Sequence, residues 1–358
     1  MEQQYGRRDV GSRVAVISLV CAALCDVALV AEAPSRDRGY GNSNIFVVNV
    51  DGTGLRNLTA RSKPAPRVAR ALSPAGGTLA FDRLRSERGY GWWSVNLMPA
   101  RGGPVRRLVR LPNSSARDPD WSRDGKLLAF ETCCPERPPF ERAVGVVRRD
   151  GGDLTWISDA SQPTWLTSTR LAFLSDVGDS AYEIAVANSD GSGRRVIASA
   201  ADVGLFDVLG VSASPTGRQV VFTAEDRDST RLYTVDVSPG RHYALISDDG
   251  QDPSWSPTGR RLVLVTSEGP SATVDTVNPD GSGLRRFPTT RGLAPELPSW
   301  SPDGKRIAFI GYRSGSNLMV MNVRRGSVRV VAHGVGRHNT PLWSPNGRRL
   351  YYTSDPYA

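Results

Sequence analysis

The sequence predicts an all-β fold built from seven copies of one four-stranded unit, and three observations support this prediction. A ten-residue pattern recurs along the chain, and its fullest copy, WSPDGKRIAF, spans Trp300–Phe309. Successive copies are separated by 42 to 49 residues, which is the length of one propeller blade. Gly (36) and Pro (25) are abundant, as expected for many short strands joined by turns. The other copies begin at Trp121, Trp255 and Trp343, with eroded copies at Leu72, Trp165 and Ala213.

Each copy contains a hairpin and then a second hairpin. In the fullest copy, Ser301–Gly304 places Pro where a turn needs φ near −65° and Gly where φ is positive. A tight turn is therefore predicted to join the strand that carries the Trp to a second strand, 306–310. A variable loop leads to a third strand, 317–323, and another tight turn leads to a fourth, 328–332. The unit is therefore predicted to be a four-stranded antiparallel blade.

The second tight turn often has the sequence Asp-Gly-Ser-Gly or a close variant, as at 51–54, 190–193 and 280–283. A calcium loop would need further spaced oxygen ligands and a distal bidentate carboxylate, which these segments lack. We interpret them as hairpin turns.

The two chain ends determine the predicted number of blades. Residues 45–59 supply a third and fourth strand with no partners before them, and residues 343–353 supply a first and second strand with none after them. Pairing the two ends completes a seventh blade and leaves no exposed sheet edge. The alternative is a six-bladed propeller with an extra half-blade.

The N-terminal segment is typical of an exported protein. Arg7 and Arg8 precede an apolar stretch, Val14–Cys25, that is too short to span a bilayer, and Ala31–Ala33 offers a small-x-small cleavage site. A retained membrane anchor or a buried strand are the alternatives. We predict a signal peptide or anchor at 1–33, a linker at 34–43 and the propeller at 44–358. We expect the protein to be located in the periplasm, at the cell wall or in the medium.

The repeat resembles the WD40-like repeat of the TolB family over about residues 44 to 355. This resemblance implies a propeller that works outside the cytoplasm as a docking platform for a protein or another component of the cell envelope. Our own prediction is a non-enzymatic propeller that binds a protein or cell-envelope ligand across its long-loop face.

The charge of the chain is +9, with 45 Lys and Arg residues of which only Lys63, Lys126 and Lys305 are lysines. The arginines fall mostly as pairs at turns, among acidic residues, and do not form one stripe along the sequence. We interpret this pattern as coding bias and do not expect a nucleic-acid partner. We expect a monomer.

Catalytic motifs are weak in this sequence. No segment reads Gly-x-Ser-x-Gly. Of the three histidines, His242 lies in a tight turn, whereas His333 and His338 flank one connection between blades, so we expect neither a hydrolase triad nor a metal or cofactor. Related propellers include metal-dependent lyases, so a carbohydrate lyase or hydrolase with its site at the channel mouth is the alternative function.

The connectivity of the blade predicts two distinct faces. The tight turns that join strand one to two and strand three to four share one face, here called the turn face. The connections from strand two to three and between blades share the other, the loop face, where recognition is expected. Its long connections are predicted at 82–91, 133–142, 176–182 and 225–230.

Two groups of candidate binding residues follow from this geometry. The connections between blades lead to the innermost strand, so residues three positions before the repeat Trp should surround the channel mouth, with a partly negative character. Asp118 and Asp252 could instead cap turns, and Trp92 could pack between blades, as we expect of the repeat tryptophans. The channel-mouth candidates are Asp118, Gln162, Asp252, Leu297, Thr340 and His338, and the loop-face candidates are Arg88, Tyr90, Trp92, Arg137, Phe140 and Arg142.

Overall fold

The computed structural model describes residues 43–354, apart from 63–64, 88–89, 113, 134–141, 179–181, 226–228, 241, 269–270, 313–314 and 337–339. Within these residues, 28 strands form seven four-stranded antiparallel sheets. Two short 3-10 turns, Ala201–Val203 and Pro288–Thr290, interrupt the β structure of the described residues. The described part of the chain holds no helix with the length and apolarity that a membrane span requires. The predicted signal peptide and nearly all of the linker lie outside the described residues.

The strands follow the predicted order, and each blade is one sheet. Blade one comprises β3 (Arg67–Leu72), β4 (Thr78–Glu87), β5 (Tyr90–Pro99) and β6 (Arg106–Arg107); blade two β7 (Ser115–Trp121), β8 (Leu127–Cys133), β9 (Ala143–Arg148) and β10 (Thr155–Ser158); blade three β11 (Ala160–Trp165), β12 (Arg170–Asp176), β13 (Tyr182–Asn188) and β14 (Arg195–Ser199). Blade four comprises β15 (Asp207–Ala213), β16 (Gln219–Glu225), β17 (Thr230–Asp236) and β18 (Tyr243–Ser247); blade five β19 (Gln251–Trp255), β20 (Leu262–Glu268), β21 (Ser271–Val277) and β22 (Arg285–Arg286); blade six β23 (Glu296–Trp300), β24 (Arg306–Tyr312), β25 (Ser316–Asn322) and β26 (Val328–His333).

The seventh blade closes the ring with strands from both ends of the chain. It comprises β27 (Leu342–Trp343), β28 (Arg349–Thr353), β1 (Ile45–Asn49) and β2 (Arg56–Asn57), in that spatial order. β1 and β28 pair over their whole length, from Ile45 opposite Thr353 to Asn49 opposite Arg349. The seven-bladed prediction and its closure are therefore confirmed, and the six-bladed alternative does not hold.

The first strand of every blade is the innermost. Each first strand contacts the first strands of the blades on either side, all the way round the ring, whereas the fourth strands do not meet in this way. The seven first strands therefore surround the central channel, and their ends define its two mouths.

The apolar core lies between blades. Buried apolar side chains of the described residues form seven clusters, one at each interface between neighbouring blades. The phenylalanine that ends the repeat pattern is fully buried wherever it occurs, and burying such a ring stabilises the fold by about 1.5 to 3 kcal/mol. These rings are Phe81, Phe130, Phe173, Phe222 and Phe309.

The repeat tryptophans join one blade to the next, as predicted. The indole N–H of Trp165, Trp255 and Trp343 donates a hydrogen bond to a main-chain carbonyl of a neighbouring inner strand. In each case the acceptor residue directly precedes the repeat pattern of an earlier blade. The acceptors are Asp120 (3.1 Å), Ser212 (3.1 Å) and Ser299 (3.2 Å), respectively. The indole nitrogens of Trp121 and Trp300 are buried without an acceptor in the described part of the chain.

Candidate functional site

Four predicted channel-mouth residues occupy the same strained position in their blades. Asp118, Gln162, Asp252 and Leu297 each directly precede a proline and have φ between 48 and 52°. The pairing register of the innermost strand shifts at each of these positions. Proline cannot donate to the sheet, so the strand bulges there, and a positive φ costs a residue other than glycine about 1 to 3 kcal/mol. Such strain is often concentrated where a fold holds a binding surface.

Two further blades have a bulge that the sequence did not reveal. The register shifts between Ala69 and Ala71 in β3, and between Val208 and Gly210 in β15. Arg70 and Leu209 therefore occupy the bulges of blades one and four, but no proline marks either position. Thr340 is exposed two residues before β27, and His338 lies outside the described residues.

Each of three strained backbone N–H groups is satisfied by a carboxylate from the preceding blade. This arrangement explains the acidic residues near the mouth, because a buried N–H without an acceptor would destabilise the interface between the blades. Asp252 uses its carboxylate in this way and does not simply cap its own strand. The three hydrogen bonds join Asp118 N to Asp82 Oδ2 (3.4 Å), Gln162 N to Glu131 Oε2 (3.1 Å) and Leu297 N to Asp252 Oδ2 (3.0 Å).

Arg70, Asp82 and Asp118 form a charged cluster between blades one and two. Arg70 Nε donates to Asp82 Oδ2 at 2.6 Å, and its terminal nitrogen lies 3.0 Å from Asp118 Oδ1. The Asp82 side chain is fully buried, whereas about a quarter of each of the other two is exposed. The guanidinium offsets the carboxylates, so this part of the mouth has mixed charge and is not the simply negative site that the sequence suggested.

The carboxyl group of Asp82 is both buried and incompletely hydrogen-bonded. Burial raises its pKa from 3.8 to about 7, the negative charge of Asp118 acts in the same direction, and Arg70 opposes both. Its second oxygen, Oδ1, has no hydrogen-bond donor among the described residues. An unsatisfied buried acceptor of this kind destabilises the folded state.

A second ion pair extends the cluster around the mouth. Arg117 lies 3.2 Å from Glu131 Oε1, and both side chains are almost completely buried. Burial raises the pKa of Glu131, and the charge of Asp118 adds to this effect. The side-chain amide of Gln162 donates to the carbonyl of Leu209 at 3.1 Å. Polar contacts therefore continue from blade one to blade four. The sequence analysis did not identify Glu131 or Arg117 as part of this site.

Two of the loop-face candidates, Trp92 and Arg142, are less exposed than the sequence suggested. The predicted loop at 82–91 is wrong, because β4 continues to Glu87 and β5 begins at Tyr90, which leaves a two-residue connection. A hairpin that extends beyond the blade can be rich in charged residues. The composition of residues 82–91 therefore led to the incorrect prediction of a loop. Trp92 therefore lies within β5, and only 7% of it is exposed.

Arg142 is the other loop-face candidate whose side chain the structure describes. It is half-buried, and its guanidinium carbon lies 5.6 Å from the centre of the Tyr182 ring. This is a cation–π contact between blades two and three. Arg88, Arg137 and Phe140 lie outside the described residues. Among those that are described, no three His, Cys, Asp or Glu side chains are placed to hold a metal ion.

The sequence profile of the TolB beta propeller domain matches residues 163–357, which is more than half of the chain. The chain belongs to the TolB beta propeller family. It is 28% identical over 339 residues to the Tol-Pal system protein TolB of Gluconobacter oxydans (strain 621H), covering 89% of this chain and 66% of that protein. The chain thus spans just under two thirds of the length of this curated relative.

Solved structures of related propellers agree with the fold. A putative TolB from Agrobacterium tumefaciens has a TM-score of 0.57 at 18% identity, covering 88% of this chain and 99% of that one. An oligogalacturonate lyase from Vibrio parahaemolyticus has a TM-score of 0.64 at 13% identity, covering 88% and 98%. At these identities the likeness shows the fold alone.

Proposed function

We propose that this protein is an exported, non-enzymatic propeller that binds a protein partner or another cell-envelope ligand across its loop face. Membership of the TolB beta propeller family supports this proposal. Its 28% identity to a Tol-Pal system protein also supports it. The observation that carries it is the Arg70–Asp82–Asp118 cluster, in which a buried carboxylate oxygen lacks a donor beside two partly exposed charged groups.

The chemistry of the cluster favours a polypeptide ligand. The partly exposed Asp118 can accept a hydrogen bond, and the partly exposed Arg70 can donate one to a carbonyl. A peptide segment presents donors and acceptors in alternation, so it can pair with both of these groups. A ligand with charges of one sign only would complement either Arg70 or the carboxylates, but not both.

A capture experiment with matched variants tests this function. The full chain carrying Asp118→Ala and Arg70→Ala should retain at least tenfold less of the envelope partner that the parent protein retains. The control carries Asp153→Ala and Arg260→Ala, which remove the same charges from exposed positions in tight turns. Equal retention by both variants, with the same partner identified by mass spectrometry, would exclude the cluster as the binding site.

Export is a separate part of the proposal and has its own test. Residues 1–43 fused to a phosphatase that is active only outside the cytoplasm should give activity, and Arg7→Glu with Arg8→Glu should reduce it. An inactive, stable fusion would contradict an exported location.

A second candidate is a channel-mouth enzyme of the carbohydrate lyase or hydrolase type. One observation favours it: the pKa of Asp82 is raised to about 7, where a carboxyl group serves well as a general acid or base. Incubation with acidic oligosaccharides, followed by ultraviolet absorbance for unsaturated products and by reducing-end analysis, tests it. Turnover that disappears in Asp82→Asn would favour the enzyme, and no turnover by the parent protein would exclude these substrates.

A further inference from the structure

The arginines that are scattered along the sequence converge on one face of the propeller. The turn face consists of the tight turns together with the strand residue on each side of a turn. Among the described residues, these positions hold twenty Arg or Lys residues and eight aspartates. The same count over the loop-face connections gives seven cations and ten carboxylates. Pairs such as Arg148–Arg149, Arg260–Arg261 and Arg324–Arg325 are far apart in sequence, but the topology places all of them on the turn face.

Part of this charge is available to a ligand. The side chains of Arg260, Arg325 and Arg348 are exposed, and no carboxylate of the described chain forms an ion pair with them. The turn face therefore attracts anions strongly, whereas the loop face does not.

A cavity on the turn face concentrates this positive potential. It has a volume of about 970 Å³ and lies where the closing blade meets blades six and one. Arg306, Arg329, Arg348 and Arg349 line it, with Asp51 as its single carboxylate. Asp51 already accepts hydrogen bonds from the N–H and hydroxyl of Thr53 within its turn. The cavity is thus large and basic enough to accept a phosphate-bearing headgroup.

Exposed leucines on the same face distinguish between classes of anionic partner. Leu55, Leu154 and Leu284 are 54%, 36% and 48% exposed, and each lies at the end of the turn between strands three and four. They belong to blades seven, two and five, so they are spaced around the ring. Basic side chains next to exposed apolar ones suit the boundary between lipid headgroups and acyl chains. Nucleic acid would satisfy the arginines but would give the leucines nothing comparable.

We propose that the turn face docks on the surface of a membrane rich in anionic phospholipid. The arginines contact headgroup phosphates, the basic cavity accepts one headgroup, and the three leucines reach the acyl boundary. The loop face and the Arg70–Asp82–Asp118 cluster then point away from the membrane. This inference does not depend on the proposed partner, because it concerns the opposite face of the ring.

Vesicle co-sedimentation of the full chain tests the proposal. The parent protein should bind phosphatidylglycerol–phosphatidylcholine vesicles (about 3:7), should not bind pure phosphatidylcholine, and should be released as salt is raised. Each basic residue near an anionic surface contributes about 1 kcal/mol. Arg325→Gln with Arg348→Gln should therefore weaken binding about 30-fold.

Matched variants on the opposite face provide the controls. Arg61→Gln with Arg110→Gln removes the same charge from exposed positions in loop-face connections, and it should leave vesicle binding unchanged. Leu154→Ser with Leu284→Ser should weaken binding without changing its dependence on salt. Phe206→Ser, at a residue 75% exposed on the loop face, should have no effect.

Three outcomes would overturn the proposal. One is equal binding to charged and uncharged vesicles, and another is equal loss in the turn-face and loop-face arginine variants. The third is absence of vesicle binding together with salt-sensitive binding of duplex DNA that Arg325→Gln with Arg348→Gln abolishes. That last result would assign the same face to nucleic acid.

Discussion

The buried carboxyl group of Asp82 should make the stability of the propeller depend on pH in a way that one substitution removes. Its pKa is raised from 3.8 to about 7 in the folded protein, chiefly by burial. As the pH rises from 4 to 7, the unfolded chain loses this proton while the folded chain retains it. The folded state therefore becomes less stable relative to the unfolded state over this range.

The size of the effect follows from the two pKa values. Each pH unit between them corresponds to about 1.4 kcal/mol, so the contribution of Asp82 to the free energy of unfolding falls by about 4 kcal/mol from pH 4 to pH 7. Asp82→Asn carries an uncharged group of similar shape and has no such dependence. The stability of the parent protein minus that of the variant should fall by about this amount and then level off above pH 7.

The difference in the free energy of unfolding between the parent protein and Asp82→Asn can be measured by urea unfolding. Tryptophan fluorescence and circular dichroism follow the transition at half-unit steps from pH 4 to pH 8. Asp118→Asn provides a second test, because the charge of Asp118 helps to raise the pKa of Asp82. When Asp82→Asn is compared with its parent in the Asp118→Asn protein, the stability difference should level off at a lower pH. A difference that stays flat, or that increases with pH, would refute the placement of Asp82 as a buried, incompletely satisfied carboxyl group.

Three further predictions concern the ring and its interfaces. Deleting residues 45–59 removes half of the closing blade and exposes the edge of β28. Calorimetry of the deletion variant should therefore show no cooperative unfolding transition. A retained sharp transition would contradict closure of the ring by the two chain ends. Trp343→Phe leaves a buried carbonyl without its donor and should lower the free energy of unfolding in urea by about 1 to 3 kcal/mol. Trp300→Phe should lower it clearly less, because the indole nitrogen of Trp300 has no acceptor among the described residues. Equal losses in the two variants would argue against the hydrogen bond of Trp343. Gly145→Ala places a Cβ 2.4 Å from a buried phenylalanine ring and should destabilise by about 1 to 3 kcal/mol, whereas the open position Gly77→Ala should be nearly neutral by the same assay.

Much of the fold could be predicted because the information that specifies a blade is local. The Ser-Pro-Asp-Gly turn selects its own backbone angles, and in the structure Gly304 has φ 66° and Arg306 N donates to Ser301 Oγ at 2.9 Å. Period and strand order then determine the blades, and the unmatched strands at the two ends determine how the ring closes. None of these inferences required a contact between distant side chains.

The candidate site was predicted only in part. The x-Pro steps correctly identified strained positions such as Asp118 and Gln162, because proline interrupts a strand wherever it occurs. Asp82 and Glu131 were missed, since nothing local marks them. Each meets its partner across a blade boundary, 36 and 31 residues away in sequence. The length of the hairpin after Asp82 was also misjudged, because its charged residues resemble those of a loop.

Charge shows most clearly what the sequence determined and what only the tertiary structure decided. The sequence determined that arginines accompany tight turns, and from this alone their pairs seemed dispersed among acidic residues. The connectivity of the blade already predicted that those turns share one face, whereas only the folded ring decided which of their arginines stay exposed and which gather around one cavity. The repeat encodes hairpins through short-range backbone preferences, whereas the position of one hairpin relative to another depends on how seven blades pack around the channel.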